Sequence, residues 1–405
     1  MRIAFISYEY PPDTGKGGIG TYTKQAASLL AKKGWDVHVF AGSHSRGSIT
    51  EEDGVLLHRT QCSSPHDFRF TVLASFKKEH SIHSFELLES AEIHGNAWEI
   101  KKAFPSVPLI VKLHAPDYLV EQLKKRYMPF SAKLRFFMGA LRRLKWDLGY
   151  WRPYDKNIDS DYQFIQLADG ITAPSGAMKS WAVNNWNIPA HKITVIPNVF
   201  IPSAAFLAIP MNENDHHNKI IFFGRLNVLK GLVNATKALV SILAEFPDWH
   251  FTVIGDDGPG PYSNQSMRRW MQEKLKPFLN RVSFFDGLKY EELPAAIADS
   301  SIVVLPSLFE SFSYTCIEAM AAGKAVVGSN NGGMADIIQD GKNGLLADPE
   351  NYREIYTAVK KLVLDASLRN RLSIQARATA SKDFADTVID MSMKYYEQMG
   401  KGQHG

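Results

Sequence analysis

The 405-residue chain is 45% hydrophobic and 22% charged, the balance of a folded globular protein and not of a disordered or fibrous one. A formal net charge of +4 is too small to point to nucleic acid, and no apolar run approaches the roughly 20 residues of a membrane span. Cys62 and Cys316 are the only cysteines and have no ligand spacing, which leaves neither a disulfide framework nor a cysteine-held metal and favours a reducing cytoplasm.

Read in chain order, short β-branched runs alternate with helical patterns, the arrangement of parallel α/β sheets. The length fits two or three domains, and no internal repeat is visible. In the first half, strands are expected over Arg2–Ser7, Asp36–Ala41, Gly54–Arg59, Ser84–Leu88, Pro108–His114, Gly170–Ala173 and Lys192–Ile196. The first segment is a short apolar strand followed by acid and prolines, without a signal-peptide pattern. A helix over Ile19–Lys33 stops at Gly34 with Lys32 and Lys33 in its last turn. The Pro-bounded, polar stretch Ile201–Asn218 reads as a linker. Beyond it, strands are expected over Lys219–Phe223, His250–Ile254, Arg281–Phe285, Ser301–Leu305 and Lys324–Gly328, with helices at Tyr352–Leu364, Ser367–Lys382 and Asp386–Gln398.

Four places along this frame carry chemistry. In SLFESFSYTCIE (Ser307–Glu318), Glu310 falls in the loop after a strand and Glu318 about one turn into the following helix, with Ser311 or Ser313 as N-cap. The C-terminal edge of an open α/β sheet is where ligands bind, and a helix start suits phosphate. On spacing alone both could be solvated charges. In GRLNVLKG, Gly224 opens a turn after Lys219–Phe223, and Arg225 and Lys230 project toward the same edge. A guanidinium fork and an ammonium there can hold a diphosphate. Gly17-Gly18-Ile19-Gly20 follows the first strand, where the lack of a Cβ lets backbone approach a ligand. His114 ends the strand Pro108–His114, while His94 precedes Gly95-Asn96. Either could be no more than a polar residue that helps a loop leave the sheet. A dinucleotide-binding dehydrogenase is the rival for the glycine turn. Gly15, Gly18 and Gly20 lack its spacing, however, and Asp36 starts a strand where an acid should end one.

Taken together, these pieces resemble glycosyltransferase family 4, whose members are retaining enzymes of the two-domain GT-B fold. The resemblance spans nearly the whole chain: RIAFISYEYPP (Arg2–Pro12), the Gly17–Gly20 turn, ADGITAPS (Ala168–Ser175), VIPN (Val195–Asn198), GRLNVLKG, the Glu310–Glu318 segment, Gly332-Gly333 with Asp336, and DGKNGL (Asp340–Leu345). It implies two Rossmann-like parallel-sheet domains facing each other across a cleft: residues 1–205 for the acceptor and 206–383 for the donor, with a helix over 384–399 packing back on the first. It further implies that Arg225 and Lys230 neutralise the leaving diphosphate. Glu318 would accept ribose hydroxyls and Glu310 sugar hydroxyls. Gly17, Gly18, Gly224, Ser311, Phe312 and Ser313 would offer backbone to the donor, Gly287 would contact the base, and His114 would lie beside the donor sugar. No residue is an evident covalent nucleophile, so retention would proceed by front-face attack.

No cofactor is expected; a nucleotide sugar, best read as UDP-glucose or another UDP-hexose, is a substrate. No metal is expected either. Asp159-Ser160-Asp161 has the letters of a DxD motif but the look of a helix cap, and His80/His83 and His216-His217 read as surface residues. The acceptor is expected to be a glycan or a lipid-linked saccharide in polysaccharide or glycoconjugate synthesis. Lys124–Arg152 holds nine Lys/Arg against one Asp, interleaved with aromatics. Two readings stay open for it: peripheral contact with the inner membrane face, or a core-packed helix with a basic outer face. Other GT-B chemistries, a glycoside phosphorylase or sugar-nucleotide epimerase, and a non-catalytic sugar-nucleotide binder are the alternatives.

Overall fold

The apolar runs form strands buried on both faces, as parallel sheets covered by helices require. In the computed structural model, residues 1–401 are described apart from 16, 46, 128–129, 145–153, 212–216, 263–264 and 381. His216 and all of 145–152 therefore lie outside the described residues. The chain divides into two compact units: Met1–Tyr118, Asp155–Ile201 and Lys382–Gly405 make the first, and Leu119–Tyr154 with Pro202–Ser381 the second. The boundary at Ile201 and Pro202 falls in the stretch read as a linker. By contact, residues 119–154 group with the second unit, whereas the sequence placed them with the first half.

The first unit carries strands β1 (Arg2–Ser7), β2 (Asp36–Ser43), β3 (Ser48–Glu52), β4 (Val55–Gln61), β5 (Leu87–Ala91), β6 (Leu109–Lys112), β7 (Gly170–Ala173) and β8 (Ile193–Val195). They lie in the order β3-β4-β2-β1-β5-β6-β7-β8. All neighbours are parallel except β3, which pairs antiparallel with β4 through a two-residue turn at Asp53 and Gly54, both at positive φ. The sequence reading missed β3 because SITEE has no buried face to pattern it.

The second unit carries β9 (Lys219–Phe223), β10 (His250–Ile254), β11 (Val282–Phe285), β12 (Ile302–Leu305), β13 (Ala325–Ser329) and β14 (Leu345–Ala347), all parallel, in the order β11-β10-β9-β12-β13-β14. In both sheets the strand order reverses at one place: between β1 and β5, and between β9 and β12. Loops leaving such a pair diverge and open a crevice, the general ligand position of doubly wound sheets.

The helix Lys382–Lys401 belongs to the first unit. Its Tyr396 is buried and donates its hydroxyl to Glu89 on β5, while Tyr22 donates to the other Glu89 oxygen at 2.8 Å. A carboxyl so enclosed needs such donors, because burying it otherwise costs several kcal/mol.

Candidate active site

In the second unit the predicted residues gather around the β9/β12 reversal. Leaving β9, Gly224 adopts φ 137 and donates its amide to the Ile254 carbonyl of β10 at 2.9 Å. Asn227 caps the short 3-10 turn Val228–Lys230, its Oδ1 accepting the Lys230 amide at 3.2 Å. Gly231 then has φ 69, and a Cβ there would lie 1.6 Å from the Pro306 carbonyl oxygen at the end of β12. Only glycine lets the two loops touch so closely, and the Leu308 amide donates to Leu229 at 2.8 Å. This contact delivers Lys230 to Glu310: its Nζ makes a short ion pair with Glu310 Oε1, which also accepts the Ser307 hydroxyl at 3.0 Å. Gly332 secures the other flank, since a Cβ there would sit 2.6 Å from the Glu310 carbonyl oxygen, and the Gly333 amide donates to that oxygen at 2.6 Å. Arg225 is exposed on the same loop.

The helix Tyr314–Ala321 starts beside this pair, and Ser313, not Ser311, is its cap, accepting the Cys316 amide at 3.3 Å. Phe312 is buried against Tyr314, and Cys316 is a buried thiol pushed up to about 12 by burial first and the Glu310 charge second. Glu318 is buried on this helix, and burial pushes its carboxyl from 4.5 up to about 8. At neutral pH it is therefore largely protonated, a donor and acceptor in one group. Tyr290 is raised by its own burial first and by the Glu318 carboxylate second. Gly287 follows β11, and a Cβ there would meet Asp256 Oδ1 at 2.4 Å. Arg268 braces this corner, donating to the Gly255 and Phe285 carbonyls at 3.1 and 3.0 Å and pairing with Asp286 at 2.7 Å.

In the first unit, the helix Gly18–Lys32 begins at N-cap Gly17 and is the first helix after β1. Ser7, Ile19, Tyr22, Thr23, Ala91 and His114 line a small cavity at the β1/β5 reversal. His114 is buried, stands edge-on to Tyr22 at 5.4 Å, and is pushed down to about 3 by burial and then by Lys112. Its ring is neutral at any physiological pH. Lys112, on β6, donates to the Ile196 carbonyl at 2.9 Å and lies over the Tyr22 ring at 4.7 Å; burial lowers it to about 8 despite Glu89.

Two carboxyls that the sequence reading did not single out for this site fix the backbone around His114. Both Glu92 oxygens lie 2.8 Å from the His114 amide nitrogen. Asp161 accepts the amides of Asp117 at 3.0 Å and His94 at 3.3 Å. Glu92 is raised to about 8, by burial first and Asp161 second, and Asp161 to about 7, chiefly by burial. His94 itself takes φ 63. Asp159 caps the helix Ser160–Ile165, accepting the amides of Asp161 and Tyr162 at 2.9 and 3.2 Å, so the DSD letters are a cap and a brace.

Among the described residues, one group of metal-ligand types stands together: His38, His58 and Glu79. His38 Nδ1 and His58 Nε2 are 2.9 Å apart and serve each other as hydrogen-bond partners on β2 and β4, and burial lowers His58 to about 4. His58 Nδ1, by contrast, is buried without a hydrogen-bond partner.

Comparison with known proteins agrees with this geometry. The profile of glycosyl transferases group 1 matches residues 208–379, and that of glycosyltransferase family 4 matches residues 16–200. A D-inositol 3-phosphate glycosyltransferase of Corynebacterium glutamicum is 31% identical over 447 aligned positions that cover 100% of both chains. A glycogen synthase of Mycobacterium tuberculosis is 23% identical, covering 100% of this chain and 96% of its own. Among solved structures, sucrose-phosphate synthase of Thermosynechococcus elongatus superposes with a TM-score of 0.71 at 19% identity, over 98% of this chain and 99% of the other. Anabaena HepE in complex with UDP gives 0.67 at 17%, over 98% and 100%. The chain thus belongs to the group 1, family 4 glycosyltransferases of GT-B fold, enzymes that transfer a sugar from a nucleotide sugar.

Proposed function

We propose that the protein is a retaining, metal-independent hexosyltransferase that takes its sugar from a UDP-hexose, UDP-glucose in the first instance, and passes it to a glycan or lipid-linked saccharide. The observation that carries this reading is the Lys230–Glu310 pair at the β9/β12 reversal, on the loop that leads into the helix bearing the buried Glu318. An ammonium fixed by a neighbouring carboxylate is preorganised for the charge that appears on a departing diphosphate. Arg225, exposed on the same loop, adds a bidentate donor. Glu310 keeps one oxygen on Lys230 and Ser307 and offers the other to a sugar hydroxyl. Glu318 takes the ribose hydroxyls. Gly224, Gly287 and the backbone of Ser311, Phe312 and Ser313 complete the donor contacts, and Gly17 and Gly18 belong with the transfer step. Neutral His114 hydrogen-bonds a hydroxyl during that step, and with the diphosphate neutralised by side chains no cation is required. Support for uridine comes from HepE, solved with UDP and with UDP-glucose. The relatives named for D-inositol 3-phosphate make a phosphorylated polyol the second acceptor class to try.

The test is thermal unfolding with UDP, GDP, ADP and NAD in turn, each with and without EDTA. A ligand at about 100 times its Kd adds roughly 2.7 kcal/mol. A chelator-insensitive shift with UDP alone supports the reading. A shift confined to ADP or GDP moves the donor class, and one confined to NAD refutes it.

A further inference from the structure

The helix Phe130–Arg142 in the second unit is built the wrong way round for a helix packed on a core. Leu134, Met138 and Leu141 follow i, i+4, i+7 spacing and so share one face, the stripe that normally points inward. Here they are 43%, 44% and 43% exposed, and Ala140 is the residue that is buried. Phe130 is exposed on the same face, and Leu144 follows at 96% exposure. The packed edge of this helix is thus the side carrying Ala140 and the half-buried Phe137, and not the stripe. Arg135 and Arg142 run along one margin of the stripe, Lys133 sits at the other, and Arg143 is exposed beyond. Residues 128–144 contain these four cations and no acid. The preceding helix Asp117–Tyr127 ends in Lys124, Lys125 and Arg126, of which Arg126 is held by Glu350 at 2.6 Å.

We propose that this face is a docking surface for an anionic phospholipid bilayer. An outward apolar stripe bordered by cations on both margins places its side chains in the acyl region and its charges among the headgroups. No described helix is long and apolar enough to cross a membrane, so the chain lies on the surface. A second copy of the chain is the weaker occupant, because self-association would bring two acid-free cationic rims together. The inference does not depend on the identity of the donor.

The experiment is flotation of the full chain with phosphatidylcholine vesicles, with and without phosphatidylglycerol. Binding is expected only with the anionic lipid and should weaken with added salt. Each basic residue near an anionic surface is worth about fivefold, so Arg135→Gln with Arg142→Gln should weaken binding about 30-fold. Leu134→Ser with Met138→Ser should abolish it. A UDP-independent melting curve checks that each variant is folded. Failure to bind anionic vesicles, equal binding to neutral ones, or unchanged binding by both variants overturns the proposal. So does a concentration-dependent dimer that Leu134→Ser with Met138→Ser dissociates.

Discussion

Replacing Glu318 by Gln separates the energetic consequence of its burial from its use. The carboxyl is buried on the helix Tyr314–Ala321 and displaced from 4.5 to about 8. A carboxyl raised in the folded state binds its proton there while the unfolded chain has already lost it. Stability from this group is full below about pH 4.5 and declines as pH rises toward 8. At pH 8 the bare displacement corresponds to about 4 kcal/mol, and relaxation with water entry leaves roughly half as a realistic figure. Gln keeps the shape and removes the ionisation. We expect the unliganded variant to melt at the wild-type temperature near pH 4.5 and about 2 °C above it at pH 8. Under the role proposed for Glu318, the same variant should bind UDP more weakly, because it lacks the ionised form that would accept both ribose hydroxyls. Wild-type binding near pH 7 should release a proton, visible by calorimetry as a dependence of the apparent enthalpy on the buffer. A variant that melts lower at pH 8 and binds UDP as tightly as wild type would refute both halves of this reasoning.

Lys230→Ala should lower kcat by about 10²–10³, and adding Glu310→Gln should then cost far less than it does alone, since the two act as a unit; steady-state kinetics of the double-mutant cycle decides it. Gly231→Ala meets both a positive φ and the Pro306 carbonyl, so urea unfolding should report a loss above the ~1–3 kcal/mol of a left-handed backbone alone. Tyr396→Phe should cost about 1–3 kcal/mol by leaving a Glu89 oxygen without its donor, and limited proteolysis should cut first within Lys382–Lys401. Unchanged unfolding and cleavage would mean that Tyr22 alone satisfies Glu89.

Much of the scaffold could be read from the order of residues because parallel strands buried on both faces are nearly continuous apolar runs. KIIFF, HFTVI and the first strand RIAFIS have the bounds expected of them. Ser84–Leu88 was set three residues early, since LLESA carries a buried acid and serine that interrupt its pattern. Leu345–Ala347 is too short to show a period. At the candidate site, the juxtaposition of Lys230 and Glu310 was legible because their loops follow the ends of β9 and β12. The reason for their contact was not. The need for a second hydrogen at the Gly231 Cα comes from the Pro306 carbonyl, at another strand's end. Glu92 escaped because only the β5/β6 pairing, with Leu88 opposite Leu109, shows that the acid after β5 is enclosed, and Asp161 read as part of a helix cap until its bonds to the Asp117 and His94 amides were seen. Lys112 did leave a trace, as a lone cation within PLIVKLH.

The first unit is assembled from three separate stretches of chain, and its central acid, Glu89, takes one of its two phenolic donors from a residue 307 positions further on. A ribosome that has completed β1 to β8 has therefore not completed this unit. Until the helix bearing Tyr396 emerges, a carboxyl oxygen and the apolar flank beside it stay open to solvent. Interrupted synthesis would leave a half-finished sheet, marked for chaperones or proteases by the surface that helix would have covered.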